Sequence, residues 1–274
     1  MGEAKQKRSA TQKFIARYPR CALCGGDRES TTREHRPPKS LFDNSHRPDR
    51  LVMPACHQCN NGTSTADLTA AMVSRWNYNS PEQEREDHSR LVRQVKIQAP
   101  RLLDEWTAIN ANPSDRKGAI DHLRSYGVAV PDDAGVASIG KQTIKQLNIF
   151  AHKAALCLYF EQARTPLPNA GLVSAHWRSK EDFSREGIPA LFSEIFPDVA
   201  ALVQGRWDTS ETFQYRYAMN SENGLFGCLA RLRTGLYTAG FAVRDATSLQ
   251  DALEGEWISP NQLLDEHEHF YKKV

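Results

Sequence analysis

Residues 21–42 read CALCGGDRESTTREHRPPKSLF, and residues 51–62 read LVMPACHQCNNG. Each stretch contains one Cys-x-x-Cys pair followed by turn-forming residues, and the four cysteines are Cys21, Cys24, Cys56 and Cys59. A gap of two residues lets a tight turn aim both sulfurs at one metal ion, and two such pairs supply a tetrahedral set of thiolates. A redox-active pair, the competing interpretation, would need only one Cys-x-x-Cys. The spacing therefore predicts a small module held together by structural Zn²⁺.

The composition is that of an ordinary globular chain. Its 274 residues are 40% apolar and 25% charged, enough to bury a core without disulfides in one or two domains. No apolar run approaches the roughly 18–20 residues that span a bilayer, and residues 1–20 lack the apolar segment of a secretory signal. We therefore expect a cytoplasmic protein with no membrane partner, whose cysteines bind metal instead of forming disulfides.

The net charge of +2 is unevenly distributed, because residues 1–50 carry 12 Lys and Arg against 6 Asp and Glu. A basic block of this kind suits a polyanionic partner such as nucleic acid. A solvated basic tail has the same composition, so charge alone does not separate the two interpretations. Residues 1–20 are assigned as a basic arm, either helical or disordered.

The segment between the cysteine pairs contains Glu34-His35-Arg36-Pro37-Pro38, and Asn60 directly follows the last cysteine. A zinc module that only shaped a loop would not need Glu-His at its centre. The order Cys-x-x-Cys, Glu-His-x-x-Pro, Cys-x-x-Cys-Asn resembles the HNH endonucleases, and especially their zinc-stapled branch, which is similar to endonuclease VII. The resemblance covers about residues 20–67 and implies a ββα-metal finger.

The resemblance also implies a role for each matching residue. The structural zinc ligands would be Cys21, Cys24, Cys56 and Cys59. Glu34 stands where the family has an acidic ligand to a catalytic Mg²⁺ or Mn²⁺, and Asn60 stands where it has a second ligand to that ion. His35 stands where the family has the general base. The implied partner is nucleic acid, with DNA as the first choice.

These residue types suit phosphodiester hydrolysis. An imidazole with a pKa of about 6.5 can deprotonate water near neutral pH. A divalent ion would stabilise the charge developing on the phosphate, and Mg²⁺ prefers oxygen ligands such as those of Glu34 and Asn60. Neighbouring strand residues point to opposite faces, so Glu34 and His35 need an irregular backbone to serve one site. The two prolines that follow at positions 37 and 38 favour such a loop.

The sequence departs from the family at two places. Many HNH proteins have an Asn shortly before the second cysteine pair that orients the catalytic His, whereas residues 48–51 here read Pro-Asp-Arg-Leu. Asp49, Asn44 or the backbone could orient His35, and the sequence does not select among them. Position 34 holds Glu in place of the commoner Asp, which lengthens the ligand arm by a methylene.

Four basic residues flank the matching residues and are predicted to contact phosphates of a nucleic acid. They are Arg33, Arg36, Lys39 and Arg50. Ordinary solvated surface charge is the alternative interpretation of the same residues.

The rest of the chain is predicted to be helical first and then β-rich. Helical spacing of apolar residues predicts helices beginning near Thr65, over about 83–109 with a break at Pro100, over 114–126 with Ser114 as N-cap, over 141–163 and over 189–203. Alternating aromatic and aliphatic residues predict strands over 212–219, 224–232 and 234–243. The predicted fold class is α+β: an N-terminal zinc-stapled ββα-metal finger, a mainly helical region and a small C-terminal antiparallel sheet.

We divide the chain into a basic arm (1–20), the finger (21–67), a helical extension (68–135) and an α+β region (136–274). Residues 68–274 carry no motif that we can assign, and we expect them to shape substrate choice, form a homodimer or hold a partner protein. The leading functional prediction is a metal-dependent DNA endonuclease serving in restriction or phage defence. The alternatives are a non-catalytic zinc module that binds nucleic acid and an RNA-cleaving, toxin-like nuclease, because these groups act on phosphate and not on sugar.

Overall fold

The fold is that of a computed structural model, which describes residues 2–42, 51–76, 82–127, 129–180, 182, 203–204, 212–220, 224–246 and 256–264. The helices are α1 (Gly2–Arg17), α2 (His57–Gly62), α3 (Ser64–Val73), α4 (Glu82–Gln98), α5 (Pro100–Thr107), α6 (Pro113–Ser125) and α7 (Lys141–Ala163). The strands are β1 (Thr32–His35), β2 (Val52–Ala55), β3 (Leu172–Ser179), β4 (Val203–Gln204), β5 (Phe213–Asn220), β6 (Leu225–Leu232) and β7 (Leu236–Val243). The predicted α+β class, with a small antiparallel sheet and an N-terminal cluster of four cysteines, is confirmed.

Two short strands, β1 and β2, lie between the cysteine pairs. They pair in antiparallel register, with Glu34 opposite Met53 and His35 opposite Val52. Met53 is fully buried, so β2 lies against the core. The short helix α2 follows β2 directly, and α3 then begins at Ser64, one residue before the predicted start.

Helix α7 lies at the centre of the molecule. It spans the predicted residues 141–163 and contacts α3 and β2 as well as β3, β6 and β7 of the larger sheet. Leu147, Phe150 and Phe160 are buried on it, and so are residues on its other faces. A helix that is buried on most sides is typical of one enclosed between layers. The residues around the cysteines, α7 and the larger sheet therefore share one hydrophobic core.

A glycine lets β7 approach α7 closely. A Cβ atom at Gly240 would lie 2.5 Å from the Cβ of Ala155 and 3.2 Å from the Sγ of Cys228. Cys228 and Cys157 are both buried, as expected for small apolar core residues. The contact between the sheet and α7 at this point thus requires a residue without a side chain.

The larger sheet has the strand order β3-β7-β6-β5-β4, and all of its pairs are antiparallel. The three predicted strands correspond to β5, β6 and β7. Strand β3 was not predicted, because its sequence LVSAHWRS lacks a clear alternation and buries Ser174. The helix predicted over 189–203 falls outside the described residues except for Val203, which begins β4.

The helical region agrees with the prediction from the sequence except at the N-cap of α6. Pro100 is the first residue of α5, so it splits the predicted helix over 83–109 into α4 and α5. The prediction of Ser114 as the N-cap of α6 was wrong. The cap is Asn112, whose side chain accepts a hydrogen bond from the backbone N–H of Ser114 at 2.9 Å. Pro113 then takes the first helical position, where its missing N–H costs nothing.

The basic arm is helical and is anchored at its end. Tyr18, just after α1, packs its ring against Phe14 of α1 and against Phe160 of α7, with centroids 5.1 and 5.2 Å away. Within the part of the chain that the structure describes, no helix combines the length and the apolar character needed to cross a membrane.

A carboxylate from α5 caps the start of α7. Glu105 accepts hydrogen bonds from the backbone N–H groups of Gly140, Gln142 and Thr143, at 2.9–3.1 Å. These bonds satisfy donors that a helix N-terminus otherwise leaves unpaired. Burial raises the pKa of Glu105, but the hydrogen bond from the Thr143 hydroxyl and these backbone bonds outweigh it, so the pKa is lowered.

Replacing Glu105 by alanine is expected to lower the free energy of unfolding by about 2 kcal/mol, the upper end of N-cap losses. Urea unfolding at pH 7 measures the loss, and Asp104→Ala, an exposed acid on the same turn, is the control. A carboxylate with a lowered pKa stabilises above its unfolded pKa of about 4.3, so the difference between wild type and variant should shrink below that pH. An equal loss in both alanine variants would contradict the capping role.

Candidate metal centre and the charged network beside it

The four cysteines of the two pairs form one compact cluster. Their sulfur atoms all lie within 4.8 Å of one another, and the cysteines are free and buried. A tetrahedral zinc with Zn–S bonds of about 2.3 Å places its sulfurs about 3.8 Å apart. The cluster therefore fits a metal such as Zn²⁺, and it is the one such group of three or more ligand residues among the described residues.

Local backbone structure brings the two pairs together. Gly25 and Gly26 have φ values of +62° and +87°, a conformation that glycine adopts without strain, and they turn the chain behind Cys24. Cys56 is the N-cap of α2, and its sulfur accepts a hydrogen bond from the backbone N–H of Cys59 at 3.4 Å. The first pair thus lies in a glycine turn and the second at a helix N-terminus.

Hydrogen bonds join the thiols of the cluster, and bonds to a metal ion would replace them. Bonding to Cys21 and then to Cys59 lowers the pKa of Cys24 to about 2. The same bond with Cys24 raises the pKa of Cys21 to about 11. Since metal ligation requires thiolates, loading of the cluster would release the proton that Cys21 holds at neutral pH.

Arg28 reaches the cluster from outside. Its Nη2 donates a hydrogen bond to the Sγ of Cys59 at 3.1 Å, and this bond raises the pKa of the guanidinium. A positive group beside the thiolates offsets part of the charge that four sulfurs bring to one ion. Arg28 was not predicted, because it follows Cys24 by four residues and no motif marks it.

Strand β1 and helix α2 hold the residues that the family resemblance singles out. The side chain of Asn60 in α2 donates to the Oγ1 of Thr32 in β1, with Nδ2 and Oγ1 3.2 Å apart. Thr32 and Glu34 are two residues apart and share one face of the strand, so His35 projects from the other face. The irregular backbone expected between Glu34 and His35 is therefore not found, since both belong to β1.

Glu34 is paired with a lysine from α7. The Nζ of Lys153 donates to the Oε1 of Glu34 and to the Oδ2 of Asp67 in α3, each at 2.8 Å. Lys153 has no exposed surface and Glu34 is 8% exposed. One buried ammonium thus joins two carboxylates from separate elements.

Arg36 completes this charged network. Its Nη1 donates to the Oδ1 of Asp67 at 2.8 Å, and its guanidinium lies over the ring of Phe150 at 5.6 Å. Burial raises the pKa of Asp67 to about 7, against the lowering effect of Arg36. We refer to Glu34, Arg36, Asp67 and Lys153 as the charged network.

The residues predicted to contact phosphates differ in how exposed they are. Arg36 is 3% exposed and paired with Asp67, so its guanidinium does not face a ligand at the surface. Arg33 is half-buried and Lys39 is exposed. Arg50 lies outside the described residues, as do Asp49 and Asn44.

The charged network affects whether the implied catalytic ion could bind to Glu34 and Asn60. Glu34, the acidic ligand assigned by resemblance, has its carboxylate held by an ammonium, and Asn60 is bonded to Thr32. A divalent ion would have to displace Lys153 before Glu34 could bind it. In the arrangement that the structure shows, Glu34 and Asn60 do not fit a divalent ion.

Asp67 and Lys153 were missed by the sequence analysis. Lys153 did carry a signal, since it and the neighbouring His152 interrupt the apolar run Ile149-Phe-Ala-His-Lys-Ala-Ala-Leu-Cys-Leu-Tyr-Phe160 of a central helix. A charge in such a run needs a buried partner. The partners could not be read from the sequence, because Glu34 and Asp67 lie 119 and 86 residues away.

Comparison of the chain with models of protein families, with curated proteins and with solved structures found no match. The resemblance to HNH endonucleases therefore depends on the residues from Cys21 to Asn60 alone.

Proposed function

We propose that this protein is a zinc-stapled nuclease of the HNH type that hydrolyses phosphodiester bonds in DNA. The observation that supports it is the local architecture: the hairpin β1–β2, the four-cysteine cluster at its base and the helix α2 follow one another in the order of a ββα finger. His35 lies at the end of β1, and Asn60 lies in α2.

Zinc would be held by the four cysteines and would serve structure only. Four sulfur ligands leave no open position for water, so chemistry at this ion is excluded by its own ligand set. Its contribution is to fix the turn after Cys24 and the start of α2 relative to the hairpin. Arg28 would stabilise the charged cluster through its bond to Cys59.

His35 would act as the general base. It is half-buried and projects from the face of β1 opposite Glu34, where an imidazole can accept a proton from water next to a bound phosphate. Mg²⁺ or Mn²⁺ would supply charge stabilisation at the phosphate when bound. Since Glu34 is engaged by Lys153, we assign no step to that ion.

The proposal includes DNA as the binding partner and the cytoplasm as the setting of the reaction. Lys39 and Arg33 would contact the DNA backbone, and the reaction would take place in the cytoplasm, in restriction or phage defence. A single finger makes a single nick, so double-strand cleavage would require a homodimer or a partner protein bound through the C-terminal region.

The ion pair between Glu34 and Lys153 favours a second candidate, a non-catalytic zinc module that binds nucleic acid. A buried ammonium at the carboxylate of Glu34 would compete with a catalytic ion for the same oxygen atoms. The binding module needs the cysteines and the basic arm but not His35.

Supercoiled plasmid incubated with Mg²⁺, Mn²⁺ or EDTA tests the proposal. We expect wild type to produce nicked or linear DNA with a divalent ion present. His35→Ala should lower the cleavage rate by about 10²- to 10⁴-fold, the usual contribution of a general base.

His122→Ala is the matched control, because His122 is exposed on α6, which belongs neither to the hairpin nor to the four-cysteine cluster. Unchanged cleavage in the His35 variant would show that this histidine is not the base. If no substrate is cut, including branched DNA, single-stranded DNA and RNA, while DNA binding persists, the binding module is the correct function.

A further inference from the structure

The charged network contains as many positive as negative groups. Lys153 and Arg36 face Glu34 and Asp67, and the three bonds that join them are each 2.8 Å long. The side chain of Lys153 has no exposed surface and that of Arg36 is 3% exposed, whereas those of Glu34 and Asp67 are 11% and 13% exposed. Within these four groups no net negative charge is left to attract a further cation.

The ammonium of Lys153 takes the place that a metal ion would take. It lies between two carboxylate oxygens from different elements, Oε1 of Glu34 on β1 and Oδ2 of Asp67 on α3. Oxygen ligands of this kind, converging from separate elements, are what Mg²⁺ and Mn²⁺ require. The lysine reaches them from α7, so the cation is covalently part of the chain.

We infer that Lys153 is a built-in cation that closes the Glu34–Asp67 pair to divalent metals and positions β1 against α3 and α7. Glu34 then acts as a positioning residue, since it fixes the strand that carries His35. This inference is independent of whether the finger cleaves nucleic acid, because its test measures metal binding and not activity.

The charge balance gives the expected effect of removing the ammonium. Lys153→Met keeps an unbranched apolar stem of similar length and removes the positive group that joins the two carboxylates. The four groups of the network then carry a net negative charge, and Oε1 of Glu34 and Oδ2 of Asp67 have lost Nζ as a shared donor. A divalent ion can supply the lost charge and bind both carboxylates.

Mn²⁺ binding to the full-length, zinc-loaded protein tests the inference. Free Mn²⁺ is counted by electron paramagnetic resonance, and zinc in the cysteine cluster leaves Mn²⁺ to oxygen ligands. We expect Lys153→Met to bind about one more Mn²⁺ per chain than wild type, the stoichiometry of a single carboxylate pair. Adding Glu34→Gln to this variant should remove the extra ion.

Lys141→Met is the matched control, because Lys141 lies exposed on the same helix and its loss changes the net charge equally. It should bind Mn²⁺ as wild type does. If Lys153→Met is poorly folded without metal, Mn²⁺ should raise its melting temperature and leave that of the Lys153→Met/Glu34→Gln double variant unchanged.

Two results would overturn the inference. One is a Lys153→Met protein that neither binds more Mn²⁺ than wild type nor is stabilised by it. The other is Mn²⁺ binding by wild type that Glu34→Gln abolishes, which would show that a divalent ion displaces Lys153 and that Glu34 is a ligand after all. A failure of the nuclease proposal would leave both measurements unaffected.

Discussion

Replacing Cys59 by serine is expected to release the metal and unfold the hairpin β1–β2 together with α2. Cys59 is 1% exposed and lies within 4.8 Å of the other three sulfurs, so its loss leaves an incomplete ligand set. Structural zinc contributes roughly 10 kcal/mol or more to small modules of this kind. Purified wild type should contain about one zinc per chain and the variant almost none, as measured by elemental analysis.

Cys157→Ala is the control for this substitution. Cys157 is buried on α7 and is not one of the four clustered cysteines. Its replacement by alanine therefore removes a thiol from the core and leaves the cluster complete. It should keep its zinc and unfold in a single transition. A Cys59→Ser protein that retains zinc and a wild-type melting curve would show that the four cysteines do not bind structural metal.

The unfolding of the Cys59 variant should extend beyond residues 20–67. The cysteines belong to the same hydrophobic core as α7 and the larger sheet, and α7 contacts both β2 and α3. Loss of the finger would expose the face of α7 that carries Lys153 and Phe150. Limited proteolysis of the variant should therefore cut within α7 as well as in the finger.

The elements that could be predicted from the sequence are those whose signals are local. Helix α7 follows from a single long apolar pattern, and the division between α4 and α5 follows from Pro100. The cap of α6 was misplaced by two residues, because Asn112 and Ser114 are both good caps and only the position of Pro113 separates them. Strand β3 was missed because it is stabilised by pairing with β7, about 64 residues later in the chain.

In the candidate site, too, only the part with local sequence signals could be predicted. The cysteine cluster was predicted because spacing within each pair is local and two pairs imply one metal. The charged network was not, since it depends on which side chains α3 and α7 bring to β1. Arg36 shows the consequence: a basic residue beside the motif was expected at the surface and is instead buried against Asp67 and Phe150.

Lys153→Met is expected to lower the free energy of unfolding by about 3–5 kcal/mol at pH 8, the usual cost of removing one partner from a buried ion pair. The substitution leaves Glu34 and Asp67 close together and removes the ammonium that offsets their charge. Urea unfolding measures the loss, with the exposed Lys141→Met as control.

The pH dependence of that loss has a definite sign. Burial raises the pKa of Asp67 to about 7 in the folded protein, above its unfolded value of about 3.9. Between these two values the folded state holds a proton that the unfolded state has released, so the contribution of Asp67 to stability is present at low pH and is lost as the pH rises through 7. At pH 5 Asp67 is protonated, and less negative charge is then left without a partner when Lys153 is removed. The loss caused by Lys153→Met should therefore be smaller at pH 5 than at pH 8, and adding Asp67→Asn should make it independent of pH over this range. A loss of equal size at both pH values would mean that Lys153 stabilises the fold by packing and not by its charge.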